Sequence, residues 1–260
     1  MSCRPCTPLK ASGLFILGFL SVSSLTAISA SSVLAAGSKA APDTARHSPA
    51  TPHSPSAADA GSLIRTLTRL APTANPEVLK LAAQALNCAD PNAQRLAIID
   101  FSLPSTEPRL WVFDLAQSRL VFHELVSHGR GSGDTIASNF SNTPESYQSS
   151  LGLFRTMNSY EGSNGYSLRL EGLEPGVNDN AFERAIVIHG ADYVSEDFIK
   201  QTGRIGRSHG CPAVRSEIAI PLIDSIKDSQ YLFTYYPDPA WLASSRFLHC
   251  PGNQELAMKR

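Results

Sequence analysis

The sequence predicts a mainly β domain with short peripheral helices and a small helical annex on its N-terminal side. Three observations carry this. Beyond Ala93 the chain breaks into short runs rich in branched and aromatic residues, separated by Pro, Gly, Asn and Asp. Helical spacing is confined to 62–92 and to two brief stretches after Val194. The residues before Ser62 lack the large apolar side chains a core needs, apart from one apolar run near the start.

That run defines the leader. The first ten residues carry Arg4 and Lys10 and no acid, and "LFILGFLSVSSLTAISA" then supplies an apolar stretch ending in small residues. Residues 1–35 therefore read as a secretory signal peptide, with Ala30 or Ala35 satisfying the small-residue rule at the cleavage site. Ser21, Ser23 and Ser24 interrupt the apolar core, which argues against a lasting membrane span. The mature protein is expected across the inner membrane, periplasmic or associated with the cell wall. Cys6 precedes the apolar region instead of following it, so a lipoprotein reading fails. Residues 36–61 are rich in Ala, Pro and Ser and read as a disordered linker.

The annex, 62–92, places Leu63, Ile64, Leu67 and Leu70 on one face and restarts after Asn75, where Pro76 suits a first helical turn. Two short helices are expected. The domain proper, 93–250, offers "RLAIIDFS", "RLWVFDL", "RLVFHELVS", "SLGLFRT", "YSLRLEGL" and "RAIVIHG" as strands, with "LAQSRL" as a hairpin turn. Helical period returns in "SEDFIKQ" and "SEIAIPLIDSIKD", where Ser216 is expected to cap, and "QYLFTYYPD" closes the sheet. Residues 251–260 form a tail. With 22 Lys and Arg against 23 Asp and Glu, and no basic run, nothing points to nucleic acid or an anionic membrane surface.

The chemistry centres on "RAIVIHG", a buried-looking strand ending at His189, and on Cys211 in "GRSHGCPAV", 22 positions later. A thiol nucleophile needs a base, and a neutral imidazole near its reference value of ~6.5 suits a thiol near ~8.5. The Gly190 carbonyl, or another acceptor at the strand end, is placed to hold the second ring nitrogen and fix the tautomer. Gly permits a sharp turn and Pro212 interrupts any continuing ladder, so the amides of Gly210 and Cys211 are expected to face a developing oxyanion.

These residues carry a resemblance. "IHG" at 188–190 followed by "SHGC" at 208–211, with "SLRLEGLEPGVNDNAFERAIVIHGADYV" between 167 and 194, resembles the YkuD-like murein L,D-transpeptidases, from about Arg95 to Pro237. The resemblance implies a β-sandwich, a nucleophile at Cys211, a general base at His189, and His209 shaping the oxyanion and donor site. It implies peptidoglycan stem peptides as substrates. The Cys211 thiolate would attack the bond after the third residue of a tetrapeptide, release terminal D-Ala, and pass the acyl group to an amine. Water in that role would make an L,D-carboxypeptidase, and loss of catalysis would leave a peptidoglycan-binding module. The chain departs from the family in two places: Pro212 and Ala213 follow the cysteine where relatives often carry Asn or Arg, and the approach to one strand is stretched to "NTPESYQSSLGLF".

Other readings compete. Cys211 as a buried hydrophobe fits poorly with Ser-His-Gly flanks. In an oxidising compartment the mature chain keeps Cys88, Cys211 and Cys250, so one is left over; the expected bridge joins Cys88 to Cys250 and leaves Cys211 free, though spacing alone fixes no connectivity. Zinc on His128, His189, His209 and Cys211 is disfavoured, because no His-x-x-x-His pair is present and the two nearest ligands, His209 and Cys211, are separated by one residue instead of helical spacing. His128 reads as a turn residue. "YEGSNGYSLRLEGLEPGVNDNAFERA" suits a loop-flanked substrate groove, in which Ser208, Arg207, Tyr166 and Arg184 are substrate-binding candidates, with Arg215 beside them. No metal or organic cofactor is implied, since no phosphate-cradling or dinucleotide motif appears.

Overall fold

The computed structural model describes residues 57–251, so the leader, all but the end of the linker and all but the first residue of the tail lie outside the described residues. Helix α1 (Ala57–Leu70) takes in the last residues of the segment read as linker. Helix α2 (Pro76–Ala89) starts as its sequence dictates. Pro76 occupies the first turn, and Asn75 Oδ1 accepts from the Glu77 amide at 2.9 Å.

Eight strands follow: β1 (Arg95–Asp100), β2 (Leu110–Asp114), β3 (Arg119–Glu124), β4 (Gly152–Gly162), β5 (Gly165–Gly172), β6 (Val187–Gly190), β7 (Ala213–Val214) and β8 (Tyr231–Tyr235). They form one sheet in the order β3-β2-β1-β8-β4-β5-β6-β7, with β1–β8 and β6–β7 parallel. The mainly β fold expected from the sequence is the observed one. The sheet curls until its edges meet: past β3, the Ser127 amide donates to Ala213 O at 2.8 Å and the Ala213 amide to Ser127 Oγ at 3.1 Å. Closure sets the 127–129 turn beside the 208–213 segment, where Gly129 bridges Ser208.

The annex belongs to the same core. Leu67, Leu79 and Leu86 are buried in one apolar cluster with Ile98, Phe113 and Phe233, and α2 packs on β1 and β8. Truncating such a leucine costs about 2–5 kcal/mol, because the lining collapses only partly.

Three elements differ from expectation. The expected strand "YSLRLEGL" is β5, but residues 160–165, expected to border the groove as loop, belong to the β4–β5 hairpin, which turns at Gly162–Gly165; the loop proper runs from 173 to 186. Helix α3 (Glu196–Thr202) is capped by Ser195 as its pattern suggests, but in α4 (Ser216–Ile226) Arg215 holds the cap position and Ser216 Oγ donates to Asp192 Oδ1 at 2.6 Å. Helix α5 (Pro239–Ser244) was not anticipated. It is capped by Asp238 Oδ1, which accepts from the Trp241 amide at 2.8 Å, and it buries Trp241 against Phe233 and Tyr235.

Candidate active site

Strand β6 presents His189 one residue before its end, and its parallel partner β7 sets His189 opposite Ala213. Cys211 thus lies two residues before that partner, level with Val187, whose amide donates to the Cys211 sulfur at 3.5 Å. The thiol itself points to Ala185 O at 3.7 Å. His189 is nearly buried, and its Nδ1 meets Gly190 O at 2.9 Å. A carbonyl only accepts, so the proton sits on Nδ1 and Nε2 is left as the basic nitrogen.

Burial pushes the Cys211 thiol up, an effect opposed by the Val187 N–H and by the Arg184 charge. Burial also pulls His189 down, against the Gly190 hydrogen bond. A raised acid beside a depressed base gives a resting pair of neutral thiol and neutral imidazole.

The nucleophile loop is braced from within. Ser208 Oγ donates to Cys211 O at 2.6 Å and accepts from the Gly210 amide at 3.0 Å. This corrects the expectation for Gly210: its N–H is occupied by Ser208 and not open to an oxyanion. Gly210 has φ of 121°, a value L side chains rarely adopt, and its carbonyl accepts from Ser149 Oγ at 3.1 Å. Gly129 lies so close beneath that a β-carbon there would collide with Tyr147 O and the Gly210 backbone. Gly190 serves α4 in the same way, since a β-carbon would fall 2.9 Å from that of Ala219. The exposed His209 ring sits 4.8 Å, centroid to centroid, from Tyr147.

The family model for the L,D-transpeptidase catalytic domain matches residues 70–235, spanning α2, the whole sheet and this loop. The chain belongs to the L,D-transpeptidase catalytic domain family. Among solved structures it is similar to an L,D-transpeptidase from Mycobacterium smegmatis, at 12% identity and TM-score 0.35, over 55% of this chain and 59% of that one. It is similar to an L,D-transpeptidase from Stackebrandtia nassauensis, at 13% identity and TM-score 0.34, over 70% and 79%. L,D-transpeptidase 3 from Mycobacterium tuberculosis matches at 11% identity and TM-score 0.36, over 55% and 62%. The chain thus spans about three fifths of the length of the mycobacterial structures. Comparison with curated proteins gives no match.

The substrate-binding candidates of this L,D-transpeptidase domain are largely engaged elsewhere. The Arg184 guanidinium donates to Ser141 O, Ser150 Oγ, Ser146 Oγ and Gln148 O at 2.6–3.2 Å, which ties down the 141–150 strap and leaves no open fork. Arg207 pairs with Asp134 at 3.3 Å and donates to Gly133 O at 2.7 Å. Arg215 makes a fork onto Glu124, at 2.7–2.9 Å. Tyr166 turns to α4: its hydroxyl donates to Asp224 Oδ1 at 2.7 Å. The Ser208 hydroxyl is spent within the loop.

His128 is not a surface turn residue. It is wholly buried, and the equally buried Arg109 reaches its Nδ1 at 2.8 Å. Among the described residues no group of three or more His, Cys, Asp or Glu is disposed to hold a metal ion, and no helix is long and apolar enough to cross a membrane. The expected Cys88–Cys250 bridge is not formed: among the described residues Cys88, Cys211 and Cys250 are all free thiols. The Cys88 thiol is pushed up to about 12, first by burial and then by the neighbouring Cys250.

The sequence reading passed over Ser127, Arg130, Tyr147 and Ser149. A signal for the first two was present, since Ser-His-Gly occurs twice, at 127–129 before Arg130 and at 208–210 before Cys211.

Proposed function

We propose that this chain is a cysteine acyltransferase that exchanges the L,D bond of peptidoglycan stem peptides through a thioester on Cys211. The observation that carries the reading is the His189 ring, fixed by Gly190 with Nε2 as its base, on the strand adjoining the buried Cys211 thiol. In the proposed cycle Nε2 takes the thiol proton as sulfur attacks the carbonyl carbon of the donor's third residue. Of the two amides expected at the oxyanion, that of Gly210 is occupied by Ser208, and the Cys211 amide stabilises the developing charge. His189 returns its proton to the departing D-Ala nitrogen as the C–N bond breaks. An incoming amine then loses a proton to His189, attacks the thioester and restores the thiol. The leader at 1–35 supports placing this reaction outside the cytoplasm, periplasmic or at the cell wall.

The test is intact-mass analysis after exposure to a carbapenem, together with release of D-Ala from tetrapeptide muropeptides. Wild type should gain a covalent adduct on Cys211 and release D-Ala, and Cys211→Ala should do neither while keeping its fold. Turnover retained in Cys211→Ala would overturn the nucleophile assignment.

A further inference from the structure

Every arginine that the motif arithmetic singles out is consumed by the fold, and one that it passes over is not. Arg130 is exposed and, among the described residues, makes no ion pair; its guanidinium carbon sits 4.1 Å over the centre of the Tyr147 ring. Tyr147 in turn packs its ring against His209 at 4.8 Å. The three side chains form one cluster: the cation lies over the phenol ring, and the imidazole of His209, two residues before Cys211, is tilted 58° against that ring.

The backbone fixes that cluster. The Arg130 amide donates to Ser208 O at 2.8 Å, the Ser208 amide to His128 O at 3.0 Å, and the Gly131 amide to Tyr147 O at 2.9 Å. Tyr147 is held at φ 54°, unusual for a bulky residue and maintained only because its surroundings determine it. The two Ser-His-Gly turns therefore run side by side, one delivering a thiol and the other a guanidinium. Stacking on a ring orders the guanidinium while leaving its in-plane N–H donors unspent, the arrangement suited to a bidentate carboxylate.

We propose that Arg130, braced by Tyr147 and His209, is the carboxylate-binding group of the donor-peptide groove. The assignment rests on the peptidoglycan reading for the identity of the peptide, but its charge selectivity is separable from catalysis. Arg130 binds and orients; it moves no proton.

The experiment uses a peptidoglycan tetrapeptide and the forms of it in which each carboxylate in turn is converted to the amide. Arg130→Gln should raise KM for the parent peptide at least about tenfold, the loss expected for a charged hydrogen bond, with kcat little changed. For one amide form, wild type and Arg130→Gln should become equal, and Arg130→Lys should recover only part of the loss. An equal deficit with every peptide, or no deficit, overturns the proposal. Calorimetric binding of the same peptides to Cys211→Ala, with and without Arg130→Gln, keeps the two claims apart. If wild type fails to turn over the peptide, the acyltransferase reading falls. Binding to Cys211→Ala that is indifferent to Arg130 and to amidation then sinks the carboxylate site, and Arg130-dependent preference for one free carboxylate sustains it.

Discussion

Arg109 donates from Nη2 to His128 Nδ1 at 2.8 Å, with both side chains fully buried beneath the loop that carries Cys211. The same guanidinium reaches Val126 O and Leu103 O, at 2.8–3.2 Å, so one buried cation gathers three segments. His128 must remain a neutral acceptor to stay there. Its pKa is lowered to about 4, first by burial and then by the Arg109 charge.

A stability profile should register that depression. The folded state binds the His128 proton less readily than the unfolded chain, so this contribution is complete above about 6.5 and is lost as pH falls toward 4. At ~1.36 kcal/mol per unit, the amount at stake is about 3 kcal/mol. Denaturant midpoints of wild type and His128→Asn, measured across that range, should converge as the pH drops. Parallel profiles would show that His128 does not titrate on unfolding.

The neutral state of the nucleophile gives a kinetic signature. Because burial raises the Cys211 thiol and lowers His189, little thiolate should exist at neutral pH without substrate. Alkylation of Cys211 by iodoacetamide should therefore keep rising with pH past the range of an ordinary thiol, ~8.5. A plateau near neutral pH would reveal an ion pair with His189 instead. His189→Ala should slow carbapenem acylation by about 10²–10⁴-fold, as loss of a positioned base does.

Arg184 should behave as a brace and not as a substrate ligand. Its four hydrogen bonds hold the 141–150 strap, and its charge favours the Cys211 thiolate. Arg184→Ala is expected to lose about 2–3 kcal/mol of stability, the scale of lost charged hydrogen bonds. It should also move the alkylation profile of Cys211 to still higher pH. Arg184→Lys should keep much of the profile and lose the stability. A variant with normal stability and a raised KM alone would return Arg184 to the substrate.

The strands, both annex helices, the His189–Gly190 contact and the place of Cys211 are legible in the sequence because each is written locally, in alternation, caps and the Ser-His-Gly-Cys run. What closes the site is not local. Arg109 meets His128 across 19 residues, and Arg184 meets Ser141 across 43. Sheet closure brings Ser127 to Ala213 across 86 residues. An isolated arginine in sequence carries no mark of whether its fork will be filled. Arg184, Arg207 and Arg215 were singled out by proximity to the motif, and proximity is also what lets the fold consume them.

The last expectation concerns Cys88 at the end of α2 and Cys250 beyond α5. The Cys88 thiol points toward Arg246 O at 3.9 Å and has Cys250 as a neighbour, so the segment after α5 already lies against the end of α2 before any covalent link. A bridge would tie the ends of the domain over about 160 residues, worth about 4–5 kcal/mol by chain entropy before native strain is subtracted. With a small-molecule disulfide as oxidant, the thiolate of one of the two cysteines forms the mixed disulfide and expels one thiol, and the other cysteine then closes the protein bridge as the second thiol leaves. Peptide mapping of unreduced, denatured protein after such treatment should recover Cys88 linked to Cys250 and a single free thiol at Cys211. Three free thiols after such treatment would remove the tether, and a bridge from either residue to Cys211 would show that the nucleophile is not shielded by its burial.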